Sequence, residues 1–222
     1  MSAPIPRVSR SAPKQPGHRG RPPRTTRREL EVIAMKLFAE HGFDDVTVER
    51  IAAEAGVSER TFFRYFPTKA EVLWHQFDNE VDDLRAAFAA VPLDEPMMAA
   101  VRRIVVAANR YRAEDIPELR TRMRLVSGVP ALSAGAGAHY DAWERTVGEF
   151  AASRLGANVG DLVPLAVGRT TLAAARAAFD AWLERGDTDL TVYLDQALRA
   201  LERGFAPEQP TAPRLGSTTE GV

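Results

Sequence analysis

The sequence predicts an all-α fold of about nine helices, three short ones in front of a larger helical bundle. Three observations carry that prediction: apolar residues recur at helical spacing, capping and stop residues punctuate the chain, and no stretch shows the apolar–polar alternation of a half-buried strand. The chain has 222 residues, 45% hydrophobic and 27% charged, with a formal net charge of −1, the profile of an ordinary globular protein of one or two domains.

Residues 1–24 are rich in Pro, Arg and Ser and poor in large apolar side chains, so they are expected to form a disordered basic arm. Order is expected to begin at Thr26, where Thr26 and Glu29 make a T-x-x-E capping box that satisfies otherwise orphaned backbone N–H groups. The helix that follows carries Leu30, Ile33, Ala34, Leu37 and Phe38 on one face, and Gly42 ends it. Thr47 opens a second, short helix from Val48 to Ala55, stopped by Gly56, and Ser58 caps a third that runs to about Phe66 before Pro67. Thr68 and Glu71 repeat the capping box and predict a long fourth helix striped by Leu73, Phe77, Val81, Leu84 and Phe88, ending near Pro92.

Five further helices are predicted at roughly 95–113, 116–127, 130–155, 162–185 and 189–204. Asp94, Asp115 and Asp161 precede Pro96, Pro117 and Pro164 at their starts, and Gly186 and Gly204 are stops. The Pro-, Ser- and Thr-rich residues 206–222 are expected to be a flexible tail.

Several function classes are disfavoured. With no cysteine there is no disulfide or thiolate metal site, and His18, His41, His75 and His139 lack ligand spacing, so no metal site and no cofactor are expected. There is no Ser/His/Asp arrangement, phosphate loop or Glu-x-x-His pair, so the chain does not read as an enzyme. The first 24 residues lack the apolar core of a signal peptide and no apolar run approaches the roughly 18 residues a membrane span needs, so a cytoplasmic protein without a membrane partner is expected.

The near-zero net charge conceals an asymmetry. Residues 1–75 hold 13 Lys+Arg against 9 Asp+Glu, a balance of +4, whereas residues 76–222 hold 16 against 21, a balance of −5. Residues 1–28 alone hold eight basic side chains and no acidic one, the footprint of an arm that lies on phosphates. Arginine outnumbers lysine 26 to 3, so a solvated arginine-rich tail is the competing reading.

The segment from Val48 to Phe66 has the spacing of a helix-turn-helix. Ala52 is small where a second helix crosses closely, Gly56 can take positive φ in the turn, and Val57 and Phe62 fill the wedge between the helices. Ser58, Glu59, Arg60, Thr61 and Arg64 then project outward from a recognition helix, where arginine can donate twice to guanine and Glu59 can accept from cytosine N4. A helical hairpin that merely packs is the bland alternative.

The stretch from Thr47 to Lys69, with Leu37 to Phe43 before it, resembles the DNA-binding signature of TetR-family transcriptional regulators. That resemblance, covering about residues 19–75, implies an all-helical homodimer, most simply a repressor released from a palindromic operator by a small-molecule effector. It divides the chain into the arm at 1–24, a DNA-binding domain at 25–70, an effector-binding and dimerisation domain at 71–205, and the tail. It also implies that Thr47, Tyr65 and Lys69 contact phosphates, and that Ser58, Arg60, Thr61 and Phe63 lie at or near bases. Phe63 departs from the tyrosine common at its position, leaving contact with a thymine methyl. Arg19-Gly20-Arg21-Pro22 resembles an AT-hook core, which implies minor-groove contact by Arg19 and Arg21.

In the second half, Met97, Val101, Ile104, Asn109, Arg124, Trp143, Val147, Phe150 and Arg176 are the candidate effector pocket, polar groups beside apolar stripes being costly unless paired or used. Leu172, Ala173, Ala177 and Phe179, with Leu194 and Leu198, are the candidate dimer interface, the two stripes exceeding what one monomer would need to cover itself. Arg122 to Leu125, Val129 to Leu132 and Trp143 further resemble regulators encoded beside mycofactocin genes. That likeness implies a large amphipathic effector such as an acyl-CoA, its anionic head met by arginines. Two readings compete: an effector-responsive repressor, or an activator of the same fold, against an all-α ligand-binding or catalytic domain whose hairpin is incidental.

Overall fold

The computed structural model describes residues 26–205, and within them ten α-helices and no strand. The first three are α1 (Arg27–His41), α2 (Val48–Glu54) and α3 (Glu59–Tyr65). The Thr26 box forms as expected: the Glu29 N–H donates to Thr26 Oγ1 at 3.2 Å and the Thr26 N–H donates to Glu29 Oε2 at 2.6 Å. Leu30, Phe38, Val46, Ile51, Phe62 and Phe66 are all within 1% of complete burial and knit the three helices into one core.

That core does not stop at residue 70. Val72, Leu73 and Trp74 belong to it, and so do Val126, Leu132 and Ala136 from helices much further along the chain.

The long fourth helix is interrupted at its start. Thr68 does accept a bond from the Glu71 N–H, at 3.3 Å, but only a single 3-10 turn forms at Ala70–Val72 before α4 runs from His75 to Ala89. The physical reason lies in the carbonyls, because those of Val72 and Leu73, which a continuous helix would use internally, accept instead from the Arg122 guanidinium.

The following helices are α5 (Met97–Ala108), α6 (Ile116–Gly128), α7 (Pro130–Gly135), α8 (Gly137–Leu155), α9 (Leu162–Arg185) and α10 (Leu190–Glu202). The helix predicted at 95–113 ends early, as Asn109 folds its side chain back to donate to the Val105 carbonyl at 2.8 Å. The one predicted at 130–155 divides at Ala136, flanked by Gly135 and Gly137. Each helical glycine costs about 1 kcal/mol relative to alanine, and the Ala136 N–H makes a long, 3.4 Å bond to the Ser133 carbonyl three residues back instead of a regular helical one. Among the described residues the count is therefore ten rather than nine.

Helices α8 and α9 approach closely at Gly168, where an added Cβ would lie 2.4 Å from the Glu144 carbonyl oxygen. Helix α10 packs on α9 and α5, and Leu194 and Leu198 at its centre are completely buried.

Candidate functional site

Helix α3 is held rigidly and shows its outer face to solvent. The Ser58 hydroxyl accepts from the Thr61 N–H at 3.2 Å and lies 3.0 Å from the Thr61 hydroxyl, so both side chains serve the helix start. In the turn before it Gly56 has φ of +64°, and the Val57 N–H bonds the Ala52 carbonyl at 2.9 Å, fixing the angle between α2 and α3. Phe62 anchors the inner face, with Phe63 edge-on at 5.6 Å and Phe66 at 5.5 Å. Glu59, Arg60, Phe63 and Arg64 are exposed, Phe63 at 49%.

The flanking residues surround that face. Thr47 accepts from the Arg50 N–H as the cap of α2, which leaves its hydroxyl proton for an outside acceptor. Tyr65 is half-buried, with Arg64 over its ring at 4.9 Å, and Arg27 donates to its carbonyl at 2.8 Å. Lys69 departs from expectation: it stands at a single 3-10 turn rather than a long helix, and its ammonium donates to the Phe43 and Val46 carbonyls at 2.6 and 2.8 Å over the Phe43 ring. It ties the α1–α2 loop to the 3-10 turn at Ala70–Val72. Arg19 and Arg21 lie outside the described residues.

A second feature lies behind this unit. The turn at Leu73–Trp74 together with α4, α5, α6, α8 and α9 encloses a cavity of about 90 Å³. Its walls are aromatic and aliphatic, with Trp74, Phe77, Tyr140, Trp143, Leu172 and Phe179 prominent. Polar groups reach it from Gln76, Glu80, Asn109, Tyr111, Arg122 and Arg176. The Tyr111 hydroxyl donates to Glu80 Oε1 at 3.1 Å. Burial pushes the Glu80 carboxyl up to about 7, outweighing the Tyr111 hydrogen bond that pulls it down, and burial likewise raises the Tyr111 phenol.

Arg122 connects the cavity to α1. It donates to Glu31 Oε1 at 2.5 Å, to Glu118 at 3.0 Å and to the Leu73 carbonyl at 2.7 Å. Glu31 is 2% exposed, and Arg28 approaches it at 3.1 Å while making a two-bond pair with Glu118. This is a buried ionic joint between the helix that leads into the helix-turn-helix and the helix that floors the cavity.

Comparison with known proteins agrees with this architecture. A model of the tetR family of bacterial regulatory proteins matches residues 33–74, and a model of the MftR C-terminal domain matches residues 95–206. MftR of Mycobacterium tuberculosis, described as a transcriptional regulator of mycofactocin biosynthesis, is 31% identical over 186 residues, covering 84% of this chain and 94% of that one. The chain belongs to the TetR family.

The HTH-type transcriptional regulator TcmR of Streptomyces glaucescens is likewise 31% identical, over 203 residues, covering 87% of this chain and 90% of its own. Two solved structures share the fold. Thermus thermophilus FadR, a repressor crystallised with lauroyl-CoA, has a TM-score of 0.55 at 24% identity, covering 85% of this chain and 99% of that one. FadR of Bacillus halodurans has 0.60 at 18%, covering 82% and 100%. The named relatives are regulators, and this TetR-family chain is a DNA-binding transcriptional regulator, not an enzyme.

Of the pocket residues expected for this TetR-family member, Asn109, Trp143 and Arg176 line the cavity. Met97, Val101, Ile104, Val147 and Phe150 do not: they pack with Phe88 and Leu198 into a core that adjoins the cavity through Trp143 and Leu172, Phe150 stacked on Phe88 at 4.6 Å. Arg124 is exposed on the far side of α6. Of the interface residues, Leu172, Leu194 and Leu198 are buried within one chain and are not free to meet a partner, and Leu172 and Phe179 line the cavity. Ala173 and Ala177 are exposed on the opposite face of α9. Glu80 was missed as a cavity residue. The signal for Glu80 was present, since it stands three residues after Phe77 and four before Leu84, within the apolar stripe.

Proposed function

We propose that this regulator is a homodimeric repressor that reads a two-fold-symmetric operator through α3 and releases it when a hydrophobic small molecule fills the cavity. The observation that carries the proposal is the exposed Glu59, Arg60, Phe63 and Arg64 on a helix anchored from behind by Phe62 and capped by Ser58. Arg60 and Arg64 read base edges, Phe63 meets a thymine methyl, and Glu59 accepts from cytosine. Thr47, Tyr65 and the remaining N–H of Lys69 hold phosphates, with Ser58 and Thr61 beside the bases, and Arg19 and Arg21 enter the adjacent minor groove.

The dimer is supported by the outer face of α9, where Ala173 and Ala177 would let a partner helix approach closely and Leu162, Val163 and Leu165 are 81%, 55% and 38% exposed. Release follows from the joint at Arg122. Cavity occupancy that moves α6 or the 73–74 turn pulls on Glu31 and hence on α1, so the lever is α6 together with that turn. The effector has an apolar body to match the walls. Of the arginines expected to meet an acyl-CoA head, the cavity keeps Arg176, so that ligand's phosphates would lie beside α9. Action on DNA assigns the protein to the cytoplasm. Among the described residues no helix is long and apolar enough to cross a membrane.

The test is selection of duplexes from a random pool with the full chain. A palindromic consensus with half-sites about one helical turn, or a modest multiple of it, apart is the expected result. Failure to enrich any sequence would overturn the reading.

A further inference from the structure

The cavity wall is apolar over most of its area, and the polar end holds one carboxyl group, that of Glu80 on α4. Its hydrogen-bond partners are the Tyr111 hydroxyl, at 3.1 Å, and the Gln76 side chain, neither of them charged. Two arginines line the same cavity, and both have other partners. Arg122 is engaged by Glu31 and Glu118, at 2.5 and 3.0 Å, and Arg176 lies over the Tyr140 ring at 5.0 Å. The interior therefore presents a carboxyl group whose nearest countercharge, Arg122, is already shared with Glu31 and Glu118 and offsets its ionisation only in part. Burying such a group is costly unless an opposite charge joins it, and the cost is recovered by a ligand that brings that charge.

The walls favour the same ligand. Trp74 and Phe77 meet edge to face at 5.8 Å, Trp143 lies alongside, and aromatic faces attract cations as well as apolar groups. An anionic head at the Glu80 end would instead place two negative charges together in an apolar chamber.

We propose that the effector is a hydrophobic molecule carrying a protonated amine, the amine held by the Glu80 carboxylate and Tyr111 hydroxyl and the apolar body lying against Trp143 and Phe179. The inference rests on the cavity being the effector site. Because burial raises Glu80 to about 7, pairing with the amine near neutral pH is accompanied by loss of a proton from Glu80. The charged and titratable groups that face it are Tyr111, Arg122 and its neighbour Asp83.

Three isosteric probes decide the matter: 4-phenylbutylamine, 4-phenylbutanol and 4-phenylbutyrate, titrated at pH 8 into the full-length protein and followed by tryptophan fluorescence, with lauroyl-CoA as a fourth. Wild type should bind the amine at least tenfold more tightly than the alcohol or the carboxylate. Glu80→Gln, which keeps the shape and the hydrogen bond to Tyr111, should abolish that preference while leaving alcohol binding unchanged. Carboxylate or lauroyl-CoA binding as tight as the amine, or a preference that survives in Glu80→Gln, would overturn the proposal. Equal binding of all three isosteres would remove the charge preference but keep the cavity as a ligand site; binding of no probe would remove both.

Discussion

The DNA-facing unit and the ligand chamber are built on opposite principles. In the first, function sits on side chains that folding leaves outside. Ser58, Gly56, Ala52 and Phe62 fix α3 within a stretch of eleven residues, and Arg60 and Arg64 are then exposed by default. In the second, the proposed ligand site is a space left between elements, and its lining is drawn from Leu73 through Phe179. A recognition surface can be read from local spacing. A cavity depends on which of several similar helical faces turn toward one another.

The two regions meet at the buried joint of Arg122 and Glu31, and breaking it should give the largest effect. Arg122→Met leaves Glu31, among the described residues, with Arg28 as its remaining ion-pair partner, and removing one member of a buried pair costs about 3–5 kcal/mol. Urea unfolding should register that loss, and adding Glu31→Gln should restore part of it. Strictly additive losses would mean that the joint does not couple the two regions.

Next in size is Gly168→Ala. Its Cβ would meet the Glu144 carbonyl at 2.4 Å, backbone against backbone, so α8 and α9 must separate at a cost of roughly 1–3 kcal/mol. The melting temperature should fall and fluorescence from Trp143 should change, because both helices wall the chamber. An unchanged melting temperature would mean that the contact relaxes freely.

A smaller, pH-dependent effect belongs to Glu80. Its folded pKa is raised to about 7, so its contribution to stability is full below the unfolded value near 4.5 and is lost as pH rises through about 7. Glu80→Gln should therefore gain stability over wild type between pH 5 and 8 and match it at pH 4. A constant difference across that range would contradict the burial assigned to this carboxyl.

These contrasts also explain what the sequence made legible. The Thr26 capping box, the Gly56 turn and the face of α3 follow from local chemistry, and they appear where expected. Arg122 and Arg124 show why the chamber did not. Two residues apart on α6 they lie about 200° apart around the helix, so one is buried in the ionic joint and the other is exposed, and nothing local says which. On α9, Leu172 and Phe179 share the face that closes the cavity, while Ala173 and Ala177 share the one that stays open. Both faces read as apolar, so sequence alone merged them into one interface. The early end of α5 at Asn109 and the broken start of α4 depend on where Val105 and Leu73 carbonyls find donors, which is a tertiary outcome for the second and a side-chain choice for the first.

The central claim, that α3 reads DNA sequence, is tested most directly by Arg60→Ala, measured on the selected operator and on random DNA at one salt concentration. Loss of a base contact should weaken operator binding by about 1–3 kcal/mol, leave random-sequence binding nearly unchanged, and relax the preference at one base pair of each half-site. Equal losses on both DNAs would reduce Arg60 to a phosphate contact and contradict the account of α3 as the recognition helix.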